Sequence, residues 1–92
     1  MARLIASLRY EGKLDGLSNY SPWKERIMVV LLVNKIWEFA GKEIVKPTTP
    51  KELDEFEELD AKAKLITLDG VKDHLIPHLT GKNTAHDMWK AL

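Results

Sequence analysis

From Trp23 to Trp37 the chain is apolar at most positions, with Lys24 and Lys35 marking a narrow polar edge. Set at about 100° per residue, Trp23, Ile27, Val30 and Trp37 share one face, interrupted by Asn34. Met28, Leu32 and Ile36 line the opposite face, and Val29 and Val33 run along a flank. The β-branched content is compatible with a buried strand, but the length and the Ser21-Pro22 start favour a helix. Ser21 is the expected N-cap, Pro22 the first helical residue and Gly41 the stop, near Phe39. A helix apolar on all sides is either central in its domain or covered by a second subunit, so Met28, Leu32 and Ile36 form a candidate self-association face.

A loop rich in proline and threonine follows, from which Ile44 and Val45 are expected to fold back onto the core. Thr49-Pro50-Lys51-Glu52 predicts a capping box. The helix it opens carries Leu53, Phe56, Leu59, Ala63 and Ile66 on one stripe, and Ala61, Leu65 and Leu68 on a second stripe beyond Asp60. Val71, Leu75 and Leu79 keep a helical spacing despite Pro77, which predicts a short third helix. The "TGKN" segment is a turn. Thr84-Ala85-His86-Asp87 predicts another capping box, with aspartate where glutamate is commoner, ahead of a helix with Ala85, Met88, Trp89 and Leu92 on one side. This last helix has no stop signal, so the chain reads as a piece of a longer protein. In the first twelve residues, Leu4, Ala6, Leu8 and Tyr10 alternate as in a strand, while Leu4 and Leu8 also share a helical face; both join the candidate self-association set.

At 92 residues the chain has room for one core, so residues 1–92 are one domain with 1–12 as an N-terminal arm. The predicted class is all-α: a small orthogonal bundle of four to five helices behind a short extended or weakly helical N-terminal segment. Fourteen basic and fourteen acidic residues cancel, which removes both a strong pull toward phosphate or anionic lipid and a brake on self-association. The absence of cysteine excludes disulfides, thiolate catalysis and zinc knuckles. No apolar run approaches the ~20 residues that cross a bilayer.

Candidate chemistry is sparse. His74 and His78 have a metal-compatible spacing, but Pro77 intervenes and no third ligand suggests itself, so incidental histidines are favoured. Asp73 beside His74 points elsewhere on a helix, and no serine nucleophile lies nearby. Glu52, Asp54, Glu55, Glu57, Glu58 and Asp60 lack the alternating spacing of a calcium loop and read as a solvated face. The tryptophans fall on apolar stripes, which favours core over a base-stacking platform. Neither a catalytic residue nor a cofactor, metal or small-molecule site is assigned.

Three segments, "KLDGLSNYSPWKERI", "DAKAKLITLDGV" and "TAHDMWKAL", in this order, resemble landmarks of the Gag polyprotein of copia-type long-terminal-repeat retrotransposons, in a plant-like version. Leu14, Asp15, Gly16, Asn19, Tyr20 and Trp23 match the opening motif, Asp60, Ala61 and Ala63 the middle one, and Thr84, Ala85, Trp89 and Leu92 the closing one. Where the family often places a tryptophan before the middle aspartate, this chain has Phe56 and Leu59. The resemblance implies an all-helical amino-terminal capsid domain that assembles with copies of itself into cytoplasmic virus-like particles. RNA would be held through other parts of Gag, with no membrane, substrate or catalytic residue involved. It further implies that Leu-Asp-Gly turns the chain, that Asn19 and Tyr20 secure the turn, and that Trp23 and Trp37 anchor the core. A monomeric adaptor or RNA-binding module derived from Gag is the alternative.

Overall fold

The computed structural model describes residues 13–92. Four α-helices follow one another, α1 (Tyr20–Val33), α2 (Glu38–Gly41), α3 (Pro50–Asp69) and α4 (Ala85–Ala91), with 3₁₀ turns at Leu17–Asn19 and Asp73–His78. Among the described residues the sole β-type pairing is a parallel bridge between Leu14 and Val71. The chain is therefore a small all-α bundle. Leu4, Leu8 and the rest of the N-terminal arm lie outside the described residues.

Helix α1 begins at Tyr20 with Asn19 as its N-cap, two residues earlier than Ser21-Pro22 implied. Ser21 is exposed and Pro22 sits inside the first turn, where a missing N–H is harmless. The larger correction is at the other end. The helix stops at Val33, because Lys35 takes φ +63° and folds the chain back. Lys35 N–H donates to Leu32 O at 2.9 Å and Ile36 N–H to Leu31 O at 2.9 Å, the paired bonds of a Schellman motif. Its usual hydrophobic contact is supplied by Leu31 and Ile36, both buried. Lysine stands where glycine is customary, so the stop carries no glycine signal. Ile36 is consequently a core residue, 1% exposed, and leaves the candidate self-association face.

Gly41 ends the single turn of α2 rather than the long helix. A side chain there would strike the Trp37 indole, since an ideal Cβ falls 2.8 Å from Trp37 Cε2. In the following loop Ile44 packs on the core, whereas Val45 is exposed.

Helix α3 starts at Thr49-Pro50 as expected, but the Thr49 side chain makes no capping bond and the box does not form. Pro50 at N1 already removes one of the amides that a cap would satisfy. The first stripe is right, with Phe56, Ala63 and Ile66 buried and Leu59 packed against them. Of the second, Leu68 packs against the core but Ala61 and Leu65 are exposed, and the fully inward positions belong to Asp60 and Thr67. Phe56, Asp60, Ala63 and Thr67 recur at 4, 3, 4 spacing and so share one face. Beyond Gly70 the third helix is 3₁₀, with Pro77 inside it and Leu79 buried just after. Gly81 takes φ +84° in the predicted turn, and Thr84 caps α4 by accepting the Asp87 N–H at 3.1 Å.

Candidate functional site

The three tryptophans meet. Trp23 on α1 and Trp89 on α4 stack with ring centroids 5.3 Å apart and planes 27° apart. Trp37, just ahead of α2, meets Trp89 edge-on at 5.2 Å and 81°. Such contacts add about 0.5–1.5 kcal/mol to the burial of the rings themselves. Tyr20 lies 6.0 Å from Trp23, half-buried at the rim, and a second pair, Phe39 and Phe56, joins α2 to α3 at 5.4 Å.

Each buried indole N–H at this junction has an acceptor. Trp23 Nε1 donates to Gly70 O at 2.7 Å, and Trp89 Nε1 donates to Thr67 Oγ1 at 3.0 Å. The Thr67 hydroxyl in turn donates to Ala63 O at 2.8 Å, so it is fixed as an acceptor toward Trp89. Replacing Thr67 by valine keeps the shape but leaves the Trp89 N–H without a partner. The expected loss is about 1–2 kcal/mol, measurable as a lower urea midpoint at unchanged slope.

Asp60, 6% exposed, accepts the Ala85 N–H at 3.1 Å and approaches Lys64 Nζ at 3.9 Å. It caps the first amide of α4 from a different helix, while Thr84 serves the third. The other members of the acidic run are exposed as expected; Asp60 is the one whose place is structural. The sequence signal was its register with Phe56 and Ala63. Thr67 carries no separate signal although it shares that register, and Gly70 is legible as the break after α3 but not as the acceptor of the Trp23 indole.

The Leu-Asp-Gly segment forms a clip. Leu14 N–H donates to Gly70 O at 2.9 Å and Lys72 N–H to Leu14 O at 3.0 Å, which places Leu14 in the core beside Val71. Asn19 Oδ1 accepts from the amides of Asp15 at 2.9 Å and Gly16 at 3.4 Å, and its Nδ2 donates to Lys13 O at 2.8 Å. Asp15 faces Lys72 Nζ at 3.8 Å, and His74 Nε2 donates to Asp15 O at 2.9 Å. Gly70 O therefore receives both the clip and the Trp23 indole, tying the opening motif to the end of α3.

His74 is thus occupied in the clip, and His78 is exposed. Among the described residues no group of three or more His, Cys, Asp or Glu could hold a metal ion. A hollow of about 220 Å³ lies between the α2–α3 loop and α4, bordered by Asp60, Thr84 and His86. Three of the polar groups on its wall are engaged: Asp60 with Ala85, Thr84 with Asp87, and His86 Nδ1 donating to Ala40 O at 2.9 Å. No buried side-chain nitrogen or oxygen lacks a partner among the described residues.

Of the candidate self-association residues, Met28 is half-buried and Leu32 is 50% exposed. Their open neighbours are Val29 and Val33. Among the described residues no helix is long and apolar enough to cross a membrane. No family model, curated protein or solved structure matches the chain.

Proposed function

We propose that this chain is a structural capsid domain of a copia-type Gag polyprotein, working by association with copies of itself into particles that enclose the element's RNA in the cytoplasm. The observation that carries the reading is the convergence of the three motif segments on one junction. Leu14 and Trp23 from the first share Gly70 O; Asp60 from the second caps Ala85 of the third; Trp89 of the third stacks on Trp23. Motif residues spent on joining helices suit a chain whose task is to present rigid outer surfaces. A net charge of zero suits close packing of like copies.

Sedimentation velocity of the purified chain over about a hundredfold concentration range tests this, since assembly obeys mass action. The expected result is a rising mean sedimentation coefficient, with ordered assemblies in negative-stain images at the top of the range. RNA binding by the isolated chain is expected to be weak. A chain that stays monomeric throughout and binds RNA with a steep salt dependence would replace this reading with the adaptor.

A further inference from the structure

The break between α1 and α2 is short and strained. Asn34 sits at φ −84°, ψ 1°, and Trp37 is helical again at φ −56°, ψ −36°, so the departure is confined to the step between them. Among the described residues Lys35, at φ +63°, is the one non-glycine residue with a positive φ. An L side chain meets a steric penalty there that the surrounding fold must offset. Nothing in the local sequence asks for the break. From Trp23 to Ala40 there is neither glycine nor proline, and the apolar pattern runs straight through.

The packing divides at the same point. Helix α2 packs on α3 and α4: Phe39 meets Phe56, Trp37 meets Trp89, and Ala40 O accepts from His86. All of these partners follow the break. The part before it is held to the part after it by α1 against α3, the Trp23–Trp89 stack, the Trp23 indole on Gly70 O, and the Leu14–Val71 bridge.

We propose that residues 34–36 are a hinge through which two copies of the chain exchange halves. With Lys35 and Ile36 in the right-handed conformation, α1 and α2 become one helix from Tyr20 to Gly41, about 33 Å long. A chain opened in this way offers its first half to the second half of another copy and receives the same in return. Trp23 then stacks on Trp89 of the other copy, and Leu14 bridges to its Val71. Each contact between halves is remade, so the closed and exchanged forms differ at the hinge and in the entropy of association. The left-handed penalty is released in both chains, which is why short connections under strain invite exchange. A lone opened chain exposes Ile36 and the buried faces of both halves, so exchange is slow and is favoured by refolding at high concentration. It does not depend on what larger assembly the chain enters.

Substitutions at the hinge push in opposite directions. Lys35→Gly removes the left-handed penalty and weakens the continuous helix, and is expected to lower the dimerisation constant by about tenfold or more. Asn34→Ala combined with Lys35→Ala favours the continuous helix and deletes the Asn34 Nδ2 bond to Val30 O, 2.8 Å long, at the end of α1. With two hinges in each dimer, it is expected to raise the constant by about tenfold. An engineered disulfide reports the exchange itself. Asp15 and Lys72 flank the Leu14–Val71 bridge, one in each half, and the chain has no cysteine of its own. When the Asp15→Cys, Lys72→Cys variant is refolded at high concentration and its dimer isolated by gel filtration, oxidation is expected to give a covalent dimer on a denaturing gel. The monomer fraction, which closes the same bond within one chain, is the control. Dimers that yield only cross-linked monomer associate through an outer surface, which overturns the hinge and leaves the assembly reading standing. The hinge is equally wrong if the Asn34→Ala, Lys35→Ala variant forms no dimer, or if it dimerises no better than Lys35→Gly.

Discussion

Trp23→Ala is expected to lose about 3–5 kcal/mol of folding stability, the range for deleting a large buried aromatic. Trp23 is 0% exposed, stacks on Trp89, and donates to Gly70 O, so the change opens a cavity where α1, α4 and the end of α3 meet. In a domain of this size each kcal/mol lowers the melting temperature by about 4–8 °C, and total stability is on the order of 5–15 kcal/mol. The variant should therefore melt about 12–40 °C below the parent, with the near-ultraviolet dichroism of the stacked indoles abolished. Trp23→Phe keeps much of the ring and loses the N–H. Since Gly70 O still accepts from Leu14, no acceptor is orphaned, and a loss of about half as much is expected. An alanine variant melting within a few degrees of the parent would show that Trp23 is not the anchor described.

Gly70→Ala is expected to destabilise by about 1–3 kcal/mol through crowding rather than backbone conformation. Gly70 has φ −87°, which alanine adopts freely. An ideal Cβ, however, falls 2.8 Å from Ile27 Cδ1 and 3.3 Å from both Trp23 Nε1 and Ile66 O. Ile27 is 1% exposed and has little room to retreat. The physical cause makes a sharper prediction: Ile27→Val removes the clashing methyl, so the double variant should be more stable than Gly70→Ala alone, although Ile27→Val alone costs about 0.5–1.5 kcal/mol. Additive losses in a thermal-melt cycle would refute the steric account.

Gly70 also shows where reading residues in order reaches its limit. A glycine after a helical stripe is legible as a punctuation mark, and α3 does end there. That its carbonyl would receive a tryptophan from 47 positions earlier was not legible, because hydrogen-bond partners distant in the chain leave no periodic trace. The same holds for Asp60. Six neighbouring acids look alike on a helix of high charge, and only the approach of Ala85 distinguishes one of them. Ile36 illustrates the opposite error. Its spacing from Met28 and Leu32 assumed an unbroken helix, and one left-handed residue at Lys35 turned it into the core.

Local chemistry was enough for the all-α class, the cap at Thr84, the start of α3 after Thr49, the glycine turn before α4 and the placement of Trp23 and Trp89 on buried helix faces. Each of these depends on contacts within a few residues or on a repeat of 3.6, and both are written in the order of side chains. Tertiary packing decided the end of α1, the burial of Asp60 and Thr67, the clip of Leu14 on Val71, and which side of α1 remained open. These follow from which surfaces meet across the bundle: an indole or a carboxylate is driven inward only when a distant partner is there to satisfy it, and that partner exists only once the chain has folded.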